Sequence, residues 1–245
     1  MDNQEYQAFY AEFARIFEKN GLESYVRDEI VEKFFVLTQL MVETNKVMNI
    51  TALTTMDKII PLHYADCVKA AALIPKNATV ADIGCGGGFP ILPLAIVRPD
   101  LKLVGIDSTE KKIRYVQSTA DQLGLSVTAI SGRAEDLAKD SRYRDGFDVV
   151  ISRAVARLNV LDELCMPFTK IGGTFIALKG AAGQEELAEA QNGIQRLGGE
   201  VAAADEYALY TTDAEEKRVM VQIAKHTATP REFPRVFGAI KKKPL

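Results

Sequence analysis

The segment Val80-Ala-Asp-Ile-Gly-Cys-Gly-Gly-Gly-Phe-Pro90 constrains this chain most, because an apolar run meets an acid and then glycines at alternate positions, Gly84, Gly86 and Gly88. A chain leaving a strand in a tight turn needs positive φ and bare backbone where a ligand must come close, and glycine alone supplies both. The spacing is D-x-G-x-G-x-G, not the G-x-G-x-x-G that holds a dinucleotide pyrophosphate on a helix N-terminus. It favours S-adenosylmethionine, which brings no phosphate and whose free amino group suits a carboxylate such as Asp82.

With 245 residues, 47% apolar and 26% charged, the chain can bury a full core as one domain with an extension. The longest apolar run, residues 89–97, is broken by two prolines and falls far short of the roughly 18 residues of a membrane span. The polar, acidic start gives no secretory signal, and Cys67, Cys85 and Cys165 are too few and scattered for a disulfide framework or a zinc site. A cytoplasmic protein without a metal, acting as a monomer, is expected. The net charge of −3 is uneven: residues 225–245 carry six Lys or Arg against one Glu. A polyanion would be drawn to that tail.

Tyr6, Phe9, Tyr10, Phe13, Ile16 and Phe17 recur at helical spacing up to Asn20-Gly21, and Val26, Ile30, Phe34, Leu37 and Met41 mark a second helix. Core packing, rather than base stacking, is the simpler reading of the first, aromatic stripe. From residue 80 onward strands alternate with helices: strands at 79–83, 102–107, 126–131, 147–152 and 174–179, helices at 110–123 and 184–197, and closing strands at 199–208 and 218–225. The expected fold is α/β: a Rossmann-like, S-adenosylmethionine-dependent methyltransferase domain over residues 66–245. Its seven-stranded, mostly parallel sheet has helices on both faces, and residues 1–65 form a helical N-terminal extension packed on the core.

Ligands of open α/β sheets sit beyond the carboxyl ends of the strands. After the second strand Asp107 can accept both ribose hydroxyls of an adenosine, although a dinucleotide would use the same acid. After the third, Ala134 backbone and a carboxylate at Glu135 or Asp136 can hold adenine; capping of the next helix is the alternative for the two acids. The fourth ends in Ile151-Ser-Arg-Ala154, without the Asn/Asp-Pro-Pro-aromatic arrangement that serves an exocyclic amine. Cys165 precedes Met166-Pro167, and Cys85 lies in the glycine loop, so structural roles suit both better than a nucleophile attacking a pyrimidine carbon. A ring nitrogen with an in-plane lone pair, such as position 7 of guanine, needs neither base nor nucleophile, only alignment with the donor.

Read together, Asn49-Ile-Thr51, His63-Tyr-Ala-Asp66, Asp82 to Pro90, Asp107-Ser108 with Lys111-Lys112, Arg133-Ala-Glu135, Ser152-Arg-Ala154, Lys179-Gly180 and Phe233-Pro-Arg235 resemble the GidB family, also called RsmG, over nearly the whole chain. The resemblance implies methylation of nitrogen 7 of guanine 527 in 16S ribosomal RNA, naked or in the small ribosomal subunit. It places Gly84, Phe89, Ala134, Glu135 and Arg153 on the cofactor, beside Gly86 and Asp107 from the strand-end argument, with no catalytic residue beyond positioning. Arg153 would lie near the donor methionine or the guanine. The family often has Arg where Lys58 and Val236 stand here. Asn49 and His63 precede the glycine loop, where a chain can fold over the methionine end; a lone histidine at an expected helix start, such as His63, is more often a hydrogen-bonded structural residue. Arg231, Arg235 and Lys241 to Lys243 are expected to dock phosphates. A small-molecule methyltransferase of the same fold, a nicotinamide oxidoreductase and a binding module that has lost catalysis remain as alternatives.

Overall fold

The computed structural model describes residues 3–245. Seven strands, β1 (Thr79–Ile83), β2 (Lys102–Asp107), β3 (Val127–Ser131), β4 (Phe147–Arg153), β5 (Thr169–Lys179), β6 (Gly199–Tyr210) and β7 (Glu215–Lys225), form one sheet in the order β3-β2-β1-β4-β5-β7-β6. The pairs from β3 to β5 are parallel, and β7 runs antiparallel to both neighbours. The order reverses between β1 and β4, the switch point where such sheets bind ligands.

Period-two alternation assigns each side chain to a face. Val80, Val149, Ile151, Ile176 and Leu178 join one buried cluster, while Ala81, Ile83, Val150, Phe175 and Ala177 join the other. Helices α1 (Asn3–Lys19) and α2 (Asp28–Asn45) cover the first face. Their aromatic stripe is core, with Phe9, Phe13, Phe17 and Phe34 fully buried and the Phe13 and Phe17 rings stacked at 3.8 Å. The same face takes a run of short turns, α3 (Met56–Ile59), a π-helical turn (Ile60–Ala65), α4 (Asp66–Val68) and a 3-10 turn (Lys69–Leu73), and then α5 (Ile91–Val97) and α6 (Glu110–Gln122). The opposite face is covered by α8 (Leu158–Cys165) and α9 (Gly183–Arg196), with α7 (Ala134–Leu137) and α10 (Phe237–Lys242) at its rim.

Two elements exceed their sequence reading. Strand β5 starts five residues early, with a register shift between Phe147 and Val149, because Gly172 takes φ +81° and Gly173 lets the backbone approach Asp148, where a Cβ would come within 2.7 Å of the carbonyl. The β6–β7 hairpin reaches Tyr210 and Glu215, its backbone pairing continuing past the apolar stretch of β7 to an end where Leu209 is buried. The Asn20 side chain grips that end, donating to the Tyr210 carbonyl at 2.8 Å and accepting its N–H at 3.0 Å, so α1 and the hairpin are tied. Among the described residues no helix is long and apolar enough to cross a membrane.

Candidate functional site

The turn after β1 is built around its glycines. Gly84, Gly86 and Gly88 hold φ of +76°, +53° and +91°. A Cβ on Gly84 would lie 2.4 Å from Val155, and one on Gly87 2.4 Å from Ile50, so the loop is hemmed in from both sides. The Gly84 and Cys85 N–H groups donate to the Ile106 carbonyl at 2.8 and 3.0 Å. Asp107 accepts from Gly86 N–H at 3.0 Å on one carboxylate oxygen and from Thr109 N–H at 2.8 Å on the other. The acid at the end of β2 therefore shapes the loop and keeps lone pairs toward the cavity.

Asp82 does something other than face a ligand. It is fully buried, accepts the Ile91 N–H at 3.1 Å at the first turn of α5, and has no partner on its other oxygen. An acid at a helix N-terminus complements the unpaired N–H groups there. Burial pushes its carboxyl up to about 8, despite the Ile91 bond.

All seven sequence-predicted residues, Gly84, Gly86, Phe89, Asp107, Ala134, Glu135 and Arg153, border one cavity of about 400 Å³ at the carboxyl edge of β1 to β4. Glu135 is buried in the first turn of α7 and receives the Arg133 guanidinium at 3.0 Å. Asp136, its neighbour, is exposed and does not border the cavity.

Arg153 reaches across to the N-terminal segment. Its guanidinium donates to the Leu62 carbonyl at 2.7 Å, His63 Nδ1 at 2.8 Å and Asp66 at 3.2 Å. Arginine can only donate, so Nδ1 is the accepting nitrogen and Nε2 carries the hydrogen, donated to Thr51 Oγ1 at 2.7 Å. His63 lies inside the π-helical turn and not at a helix start, and its ring stacks on Phe89 at 4.3 Å. Burial, helped by the Arg153 charge, pulls its pKa down to about 3, so it is neutral with both nitrogens engaged. The loop before it is organised by Asn45, which accepts from Ile50 and Thr51 N–H at 2.8 and 3.1 Å; Asn49 is exposed. That loop sets Ile50 on the cavity rim.

The cysteines are buried, and burial raises their thiols, Cys67 to about 12, with Cys85 pushed further by the Asp82 and Asp107 carboxylates. A thiolate nucleophile has no support here. A second cavity adjoins the first across Arg153, Ala154 and Val155 and extends to Lys179, Gly180 and Arg218. Lys179 is fixed by the Ala156 carbonyl and Glu186, both at 2.7 Å. Ala154, between the two cavities, holds φ +58°.

The tail departs from expectation. Arg235 is not a free phosphate ligand: it binds the fully buried Glu163 through Nε at 2.9 Å, Nη2 at 2.6 Å and its own N–H at 2.8 Å. An unpaired buried carboxylate would be costly, so this arginine is committed to the fold. Arg231 and Lys241 to Lys243 are exposed. Sequence reasoning missed Phe237, which borders the first cavity; its spacing from Phe233 and Ile240 is helical, but the stretch is short and its charge is the stronger signal.

A family model described as GidB, rRNA small subunit methyltransferase G, matches residues 30–210. A Brevibacillus brevis protein named Ribosomal RNA small subunit methyltransferase G is 40% identical over 96% of this chain and 98% of its own length. One of the same name from Limosilactobacillus reuteri is 43% identical over 89% and 92%. Among solved structures, M. jannaschii TYW2 in complex with AdoMet shares the fold at TM-score 0.53 and 15% identity, covering 66% of this chain and 76% of that one.

Proposed function

The chain belongs to the GidB family, rRNA small subunit methyltransferase G, and from that premise we propose that it transfers the methyl group of S-adenosylmethionine to nitrogen 7 of guanine 527 in 16S ribosomal RNA. The observation that carries this is the convergence of residues from four strand ends on one cavity floored by a loop in which Gly84, Gly87 and Gly88 leave no room for a Cβ. S-adenosylmethionine supplies an activated methyl on a sulfonium. The chain's own residues fit it: Gly84 and Gly86 offer bare backbone, Asp107 at the end of β2 would accept the ribose hydroxyls, and Ala134 and Glu135 border the region beyond β3.

The acceptor chemistry agrees with the electrostatics. Guanine nitrogen 7 has no proton to lose, and His63, which borders the cavity, is neutral with neither nitrogen free to act as a base. Alignment then does the work. The adjoining cavity offers the incoming base a room lined by Lys179 and Arg218, with Arg153 in the wall between the two. In an A-form helix that guanine edge faces a groove too deep and narrow for side chains, so the base must come from a loop or be flipped out. We read the protein as a cytoplasmic monomer that needs no metal, because this acceptor requires none.

Mass spectrometry of 16S ribosomal RNA from cells with and without this gene tests the reading. 7-Methylguanosine at position 527 present only with the gene supports it. An unchanged modification pattern, with methyl transfer to a small metabolite, would replace it with the small-molecule alternative.

A further inference from the structure

The last seventeen residues are built into the fold rather than trailing from it. Arg144 donates to the carbonyls of Thr229 and Phe233 at 2.8 and 3.0 Å, and Phe233 is 3% exposed. Arg235 closes on the buried Glu163 and also donates to the Lys243 carbonyl at 3.1 Å, which pulls the end of α10 back onto its start. Ile240 is fully buried in the cluster under α8. Phe237 lies three residues earlier, on the same face of α10, so burial of Ile240 turns the Phe237 ring inward as well.

That ring borders the same cavity as Arg133, Ala134, Glu135 and Leu164. The Arg133 guanidinium lies over it at 5.0 Å from the centroid and also pairs with Glu135 at 3.0 Å. One aromatic face thus supports the cation that orients the buried carboxylate beyond β3. We infer that Phe237 is a cofactor-positioning residue, the closing wall of the adenosine half of the cavity, and that residues 229–245 are a strap locked by Glu163 and Arg235 to hold it there. The inference rests on the cofactor reading above and assigns to the tail a task besides RNA docking. An adenine ring is a flat apolar surface, and an aromatic side chain matches it at little cost in side-chain entropy.

Calorimetric titration of S-adenosylhomocysteine, and separately of adenosine, into the full-length protein tests it. Phe237→Ala is expected to weaken both ligands by the same factor, about tenfold, since both share the adenine. Phe237→Tyr should restore binding to within about threefold, because the ring is retained. Arg235→Gln, which does not border the cavity, should weaken both ligands and expose the tail to limited proteolysis. Circular dichroism and thermal unfolding without ligand keep a folding defect apart from a binding defect. If wild type binds S-adenosylhomocysteine and Phe237→Ala, folded, binds it equally well, the wall does not exist. If wild type gives no heat with S-adenosylhomocysteine, the cofactor reading falls and this inference with it.

Discussion

Gly84 and Asp82 are two residues apart and show different kinds of local necessity. At Gly84, positive φ and a 2.4 Å approach to Val155 both exclude a side chain. Gly84→Ala should abolish measurable S-adenosylhomocysteine binding, and adding Val155→Ala should recover it in part, because space returns while backbone strain of about 1 kcal/mol persists. No recovery in the double variant would show that Val155 is not the obstacle. Asp82 sits with its carboxyl raised to about 8 by burial, so the folded state holds more protons than the unfolded one from pH 3.8 upward. Its contribution to stability is complete below 3.8 and is lost as pH climbs toward 8, at up to about 1 kcal/mol per pH unit. Asp162, raised by burial to about 8, slopes the same way, and His63, lowered, slopes the other way below its ordinary 6.5; both cancel in a difference between variants. Asp82→Asn keeps an acceptor for Ile91 N–H and should therefore gain on wild type steadily between pH 5 and 8 in urea unfolding. Parallel profiles would mean that Asp82 is ionised throughout. Gly84, Gly86, Asp107, Ala134 and Glu135 could be read in the sequence because each lies at or just after a strand end, whereas Phe89 and Arg153 came from the family resemblance. The capping role of Asp82 could not, since an acid before a glycine loop serves a ligand or a helix start equally well.

The strands of the parallel half were legible as elements because buried β-branched runs between turn residues have no helical period. The ends of β5, β6 and β7 were not, because a bulge at two glycines and a mostly polar hairpin end with one buried residue, Leu209, carry little hydrophobic signature. The tail shows the limit most clearly. Its charge was visible, yet the partner of Arg235 is Glu163, 72 residues away, and no local pattern reports such a contact. That leaves Arg231 and the end of α10 as the exposed basic surface. Replacing Lys241, Lys242 and Lys243 with alanine should weaken binding to ribosomal RNA and lower the slope of log K against log salt by about 2, the loss of three phosphate contacts on a single strand. Binding with an unchanged salt slope would remove these lysines from the interface. Cofactor affinity should hold in this variant, because none of the three borders the first cavity.

At the scale of the molecule, α1 and α2 pack on the sheet as part of its core. Phe9, Phe13, Phe34 and Met41 lie in the same buried cluster as Val80, Leu92, Val149 and Ile176, so the N-terminal helices and one sheet face share one interior. Arg153 adds a polar tie, joining the end of β4 to Leu62, His63 and Asp66. Urea unfolding followed by far-ultraviolet dichroism and by tyrosine fluorescence should give one coincident transition, and a variant lacking residues 1–45 should not fold. Two separated transitions would show that the helices fold as an independent unit. The glycine loop, the His63–Arg153 tie and the C-terminal strap all close on the same switch point of the sheet, and the account stands on what that point does. Purified protein, methyl-labelled S-adenosylmethionine and small ribosomal subunits from a strain without the gene, with the product mapped by mass spectrometry, test this most directly. The expected result is one methyl on nitrogen 7 of guanine 527, absent with Gly84→Ala. A methyl on any other atom, or none with folded wild type, would contradict it.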